Sequence, residues 1–117
     1  MGKLSTHVLD TMHGCPAQHV NIDLYRHENG TRSLIKSVKT NADGRCGEPL
    51  LQDQEVAKGQ YELVFHAGDY FAARGVALPS PRFVDQVSIH FGIAEEGGNY
   101  HVPLVVTPWS WSTYRGS

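Results

Sequence analysis

From Tyr100 to Thr107 the side chains alternate with a period of two. Val102, Leu104 and Val106 fall on one face, and His101, Val105 and Thr107 on the other. Such a segment is a strand buried on one side, so it needs a partner strand and a facing layer. Its polar histidine is thereby placed on the face opposite the core. Pro108 removes a ladder donor and fits a turn or an edge. The chain then runs through Trp109, Trp111 and Tyr114 to Arg115-Gly116-Ser117. Most termini are polar and dispensable. An ending with three aromatics and an arginine predicts docking, with the two tryptophans burying large area to anchor a last strand.

The same pattern recurs upstream. Leu4, Thr6 and Val8 share one face of a first strand, while Ser5, His7 and Leu9 share the other, where Leu9 blurs the contrast. His7, like His101, therefore lies opposite the more apolar face. A loop with Gly14 and Pro16 follows, then a strand with Val20, Ile22 and Leu24 inward. Asn29-Gly30 predicts a type I′ hairpin turn, which needs positive φ at both central residues. Leu34 to Lys39 returns as a strand. The stretch Thr40-Asn-Ala-Asp-Gly-Arg45 is rich in residues that tolerate the left-handed conformation, and it places Arg45 at a loop tip. Tyr61, Leu63 and Phe65 mark another strand, and Val87, Ile89 and Phe91 the next. One short helix is predicted over Asp69–Val76, with Asp69 as N-cap and Gly75 as terminator. Short strands, hairpin signals and a single brief helix predict an all-β, two-sheet antiparallel sandwich in one domain over residues 1–117.

The chain has 117 residues and a net charge of −2, so no basic field is offered to nucleic acid or to an anionic membrane. No apolar run is long enough for a signal peptide or a membrane span. The expected location is the cytoplasm, where Cys15 and Cys46 would be reduced thiols. Cys46 reads as a structural or incidental thiol, since nothing obvious activates it except its neighbour Arg45.

The seven histidines do not read alike. His13, His19, His27 and His90 fall in loops or on polar faces and read as surface residues. His66, at a strand end, is ambiguous. His7 and His101 stand out because each sits opposite a core-facing row. An arginine at a rigid loop tip can hold a carboxylate or a developing oxyanion with its planar fork. There is no nucleophile elbow, phosphate loop, Cys-x-x-Cys or His-Glu-x-x-His. Asn99-Tyr100-His101 falls one ligand short of a His-x-His strand pair, so no metal ligands are expected.

Taken together, the segments Leu4-Ser-Thr-His-Val-Leu-Asp10 with Gly14-Cys-Pro-Ala17, Asp43-Gly-Arg45, Tyr100-His-Val-Pro-Leu104 and Ser112-Thr-Tyr-Arg-Gly-Ser117 resemble the 5-hydroxyisourate hydrolase family, the transthyretin-like proteins of purine breakdown. The likeness runs from about Leu4 to Ser117, and the terminal Tyr-Arg-Gly-Ser separates the hydrolases from the hormone carrier transthyretin. The resemblance implies a sandwich of about eight strands with one short helix, assembled as a homotetramer, a dimer of dimers. It implies opening of a ring amide in 5-hydroxyisourate to give 5-hydroxy-2-oxo-4-ureido-2,5-dihydro-1H-imidazole-5-carboxylate, without a cofactor. Carried over by motif, His7, Arg45 and His101 would be catalytic, one histidine serving as base and the other as its partner. His7, Arg45, Tyr114, Arg115 and Ser117 would bind substrate. The chain departs from the usual pattern at Asn99, where many members carry a second histidine, at Trp111, and at Phe83-Val84-Asp85. A non-catalytic transthyretin-like binder of small ligands and a purely structural sandwich remain as rivals. The polar set His7, Arg45 and His101 argues against the first.

Overall fold

The computed structural model describes residues 2–116. Two sheets face each other. The first has the order β2-β1-β8-β9, with β5 also paired to β1, and the second has the order β4-β3-β6-β7. The strands are β1 (Lys3–Asp10), β2 (Cys15–Pro16), β3 (Asn21–Glu28), β4 (Thr31–Lys39), β5 (Leu51–Gln52), β6 (Gly59–Phe65), β7 (Val87–Ile93), β8 (Asn99–Val106) and β9 (Trp111–Thr113). This is the expected all-β sandwich, with β2 and β5 as two-residue additions that no periodicity could reveal.

Alternation does the sorting. Leu4, Thr6 and Val8 of β1 and Val102, Leu104 and Val106 of β8 are buried between the sheets against Ile22, Leu24, Leu63 and Phe65. Thr6 is tolerated there because its hydroxyl donates to the Val102 carbonyl at 2.7 Å. The Asn29-Gly30 turn has φ of 52° and 76° and joins β3 to β4, as its composition requires.

One pairing departs from the antiparallel expectation. β1 and β8 run parallel, with Ser5 opposite His101 and His7 opposite Pro103. First and next-to-last strands can pair in parallel because the whole second sheet lies between them in sequence and serves as the crossover. The parity of both strands is unaffected, so His7 and His101 share the outer face.

The helix α1 spans Ala67–Ala73, two residues earlier than predicted at its start. The His66 amide still donates to the Asn21 carbonyl at 2.9 Å, so the helix begins directly where β6 ends. His66 occupies the N-cap position, and Asp69 lies in the first turn rather than capping it. Gly75, with φ of 81°, terminates the helix as expected.

The tryptophans overturn a second expectation. Trp109 is 59% exposed and Trp111 42% exposed. Trp109 instead tilts against the still more exposed Phe83, with ring centroids 5.9 Å apart. β9 is held by its ladder to β8 and by the Thr113 hydroxyl, which donates to the Pro103 carbonyl at 2.7 Å.

Candidate active site

Four chain segments lie side by side across the outer face of the first sheet. The turn carrying Arg45 bridges His7 on β1, β1 pairs with β8, and Gly116 of the tail bridges His101 on β8. Directly paired residues share a face, so Arg45, His7, Ser5 and His101 point the same way. Ser5 is directly opposite His101, and His7 lies one diagonal away, roughly 7–8 Å in Cα spacing.

Each group is fixed locally. The Asn41 carboxamide oxygen accepts from the amides of Asp43 and Arg45, at 2.9 and 3.2 Å, and closes the turn. The Gly44 carbonyl accepts from the Val8 amide at 2.8 Å, which seats the turn on β1. Gly44 has φ of 73°, and a Cβ there would stand 2.4 Å from the Val8 carbonyl oxygen. Only glycine lets the turn lie this close. Gly44→Ala is therefore expected to cost about 1–3 kcal/mol, combining left-handed strain with a backbone clash. Thermal melts check this, and an unchanged melting temperature would show that the turn can shift freely.

His7 Nε2 donates to the Asp43 carbonyl at 2.9 Å, since a carbonyl can only accept. That leaves Nδ1 as the free nitrogen of a neutral His7. His101 Nδ1 is hydrogen-bonded to the Ser5 hydroxyl at 2.8 Å. Burial pushes the His101 imidazole below its ordinary pKa, and Arg45, His7 and Lys3 push it the same way, opposed by a hydrogen bond at Ser5. His101 is therefore held neutral near pH 7, with a lone pair available. Among the described residues the Arg45 side chain has no hydrogen-bond or ion-pair partner. It is exposed and borders a pocket of about 220 Å³ with Lys3, Ser5, Cys46 and Glu48. Cys46 is a free thiol whose pKa burial pushes up, as an inert thiol requires.

The tail meets the site through its backbone. The Gly116 amide donates to the His101 carbonyl at 2.8 Å. A Cβ on Gly116 would stand 2.6 Å from His101 Cδ2, so the tail lies against the imidazole edge. Between β9 and Gly116 the ladder is interrupted at Tyr114 and Arg115. These two border a separate cavity of about 310 Å³ together with Ile89, Phe91 and Tyr100. Arg115 stacks over the Tyr100 ring at 4.2 Å and donates to the Asn99 carbonyl at 3.0 Å. The structure thus brings His7, Arg45 and His101 together on one face, whereas Tyr114 and Arg115, expected from the resemblance to bind substrate, border the other cavity beside Tyr100 in the single chain. Ser117 lies outside the described residues.

Ser5 and Asn41 are the residues the sequence reading missed. Ser5 shares the parity of His7 and stands opposite His101, but that second fact requires the parallel register. Asn41 sits in a turn where asparagine is common for backbone reasons alone.

The surface reading of the other histidines is only partly right. His13 Nδ1 is 2.6 Å from the buried Asp10 carboxylate, which also accepts from the Tyr70 hydroxyl at 2.7 Å and so ties α1 to β1. His66, ambiguous in the sequence, is paired with Asp23 at 2.8 Å. His27 and His90 both flank Glu62.

A two-sheet β-sandwich whose parallel β1/β8 pair carries two histidines on its outer face, with an arginine turn seated beside them, defines a transthyretin-like protein. The comparisons agree on the class. The profile of the HIUase/Transthyretin family matches residues 4–116, and the chain belongs to that family. The 5-hydroxyisourate hydrolase of Pseudomonas aeruginosa is 56% identical over 117 residues, covering 100% of this chain and 93% of that protein. The structure of Klebsiella pneumoniae 5-hydroxyisourate hydrolase superposes with a TM-score of 0.77 at 34% identity, covering all of both chains. A crystal structure of (S)-allantoin synthase superposes with a TM-score of 0.94 at 45% identity, and this chain spans 99% of itself but 44% of that one.

Proposed function

We propose that the chain hydrolyses 5-hydroxyisourate to 5-hydroxy-2-oxo-4-ureido-2,5-dihydro-1H-imidazole-5-carboxylate, acting as a cyclic amide hydrolase of urate breakdown. The observation that carries this reading is a histidine held neutral, His101, on one face with His7 and the exposed Arg45. The full-length likeness to 5-hydroxyisourate hydrolases supports it.

Water adds to the ring carbonyl, the C–N bond breaks, the ring nitrogen takes a proton, and a carboxylate is left. In the tautomer with hydrogen on Nδ1, His101 donates to the Ser5 hydroxyl and Nε2 is free to take the proton from water. Ser5 then fixes the base as a third group fixes the histidine of other acid–base constellations. His7, held through Nε2–H on Asp43, positions the water or returns the proton to the leaving nitrogen. Arg45 holds the substrate's negative charge and the developing oxyanion. Arg115, tied to Asn99 and Tyr100 on β8, holds the strand that carries His101.

We read the working form as a homotetramer, a dimer of dimers. β7 and β9 end the two sheets at edges that border one cleft, and their unpaired backbone suits pairing with a second copy. The His7/Arg45 face is open in one chain, so a second dimer laid over it would exclude water. The free thiols suit a cytoplasmic enzyme.

The test is decay of freshly prepared 5-hydroxyisourate, followed by ultraviolet absorbance with and without protein. No acceleration over the spontaneous rate would refute the activity. A chelator is expected to leave the rate unchanged, because His101, His7 and Arg45 supply base and charge without a metal. Loss of activity on chelation, restored by one added metal, would overturn that.

A further inference from the structure

We propose that His27, Glu62 and His90 form a second site, on the opposite side of the sandwich, that binds a divalent transition metal of the zinc class. Three neighbouring strands supply one ligand each on the outer face of the second sheet. Glu62 on β6 is directly opposite His90 on β7, and it pairs with Tyr25 on β3, two residues from His27. His27 Nε2 lies 2.8 Å from Glu62 Oε1, and His90 Nε2 lies 3.6 Å from Glu62 Oε2. The three ligand atoms fall within 4.8 Å of one another. Tetrahedral zinc with bonds of about 2.0–2.2 Å spaces its ligands by roughly 3.3–3.6 Å. The cluster is therefore near a metal-binding geometry before any metal arrives.

The chemistry selects the ion. Two imidazoles and one carboxylate suit zinc, copper or nickel, whereas calcium and magnesium prefer oxygen shells. Three protein ligands leave a fourth position for water, and the His90 side chain is 62% exposed, so the ion can enter. The Glu62 side chain is only 6% exposed, and the Ser88 hydroxyl donates to its Oε2. A buried carboxylate with an orienting donor is what an outer shell provides to a metal ligand. One group works against a cation: Arg32 Nη1 sits 3.2 Å from Glu62 Oε1. That arginine is half exposed and also lies over the Tyr25 ring at 4.0 Å, so it can keep the ring and release the carboxylate.

The histidines of the β1/β8 face belong to the other sheet, so the two sites are separable by mutation. The experiment is calorimetric titration of the untagged protein with zinc chloride. One zinc per chain is expected, with affinity reduced by more than about tenfold in His90→Asn and in His27→Asn. The His7→Asn/His101→Asn double variant should keep the binding. Hydrolysis and melting temperature of His90→Asn should match the parent in the absence of metal. Cobalt should show the visible bands of tetrahedral coordination, lost in His90→Asn. Zinc binding that survives both His27→Asn and His90→Asn, or that vanishes in the His7/His101 double variant, would overturn the assignment. So would the absence of saturable binding up to about a millimolar zinc, a level at which association is worth only about 4 kcal/mol. Glu62→Gln is the weaker test, because its buried amide can disturb the sheet.

Discussion

His101→Ala is expected to lower kcat by about 10²–10⁴-fold, the usual loss when a positioned acid–base group is removed. The fold should persist, since His101 points away from the core and its loss leaves only the Ser5 hydroxyl to re-pair with water. Melting temperatures should stay within a few degrees of the parent. The pH profile gives a sharper reading. Protonation disables the base, and burial with Arg45, His7 and Lys3 nearby holds the His101 pKa down. The acid limb of kcat/KM should therefore fall below about pH 6.5, the ordinary histidine value. Arg45→Ala removes one of the depressing charges, so its acid limb should move up in pH while its rate falls. Activity within a factor of two in His101→Ala would remove His101 from the mechanism. An acid limb that did not move in Arg45→Ala would mean that Arg45 acts on substrate alone.

Parity made the two histidines legible in the sequence. A period-two pattern fixes which face a residue occupies without any knowledge of the partner strand, so His7 and His101 could be placed outside the core. Arg45 was legible as a loop-tip cation, but its contact with His7 depends on Gly44 seating the turn on β1. What periodicity cannot give is register. The parallel β1/β8 pair, which sets Ser5 on His101, joins residues 96 apart in sequence. The His27–Glu62–His90 cluster has the same origin: three positions on three strands, unrelated in spacing, that only the sheet brings together. The exposed tryptophans show a different limit. Aromatic side chains near a terminus signal an interface, but a single chain does not say whether the partner is its own core or another surface. In this fold Trp109 and Trp111 lie largely outside the core.

Deleting Arg115–Ser117 is expected to reduce hydrolysis by at least about 10²-fold while leaving a folded sandwich, because a 1 Å misplacement of a catalytic group can cost that much. The structural reason lies on β8. Gly116 supplies the amide that holds the His101 carbonyl, and its bare Cα leaves room for the His101 ring edge. Arg115 adds a hydrogen bond to the Asn99 carbonyl and covers Tyr100. Its guanidinium is thereby committed to the same strand, two residues before His101, which favours positioning over direct proton transfer. The deletion uncovers one edge of the core at Tyr100, but Val102, Leu104 and Val106 still pack inward and β9 retains its ladder to β8. Gly116→Ala separates the tail's presence from its fit. The substitution keeps the amide and the chain length but drives a methyl group to 2.6 Å from His101 Cδ2, so the ring must move. It should lower kcat with little change in the thermal melt. Steady-state rates, melts and a sizing column on both variants decide the matter. Full activity in the truncated chain would refute a role for the tail. A slow truncated enzyme beside a fully active Gly116→Ala would show that the tail acts through Arg115 or through assembly, which the sizing column then distinguishes.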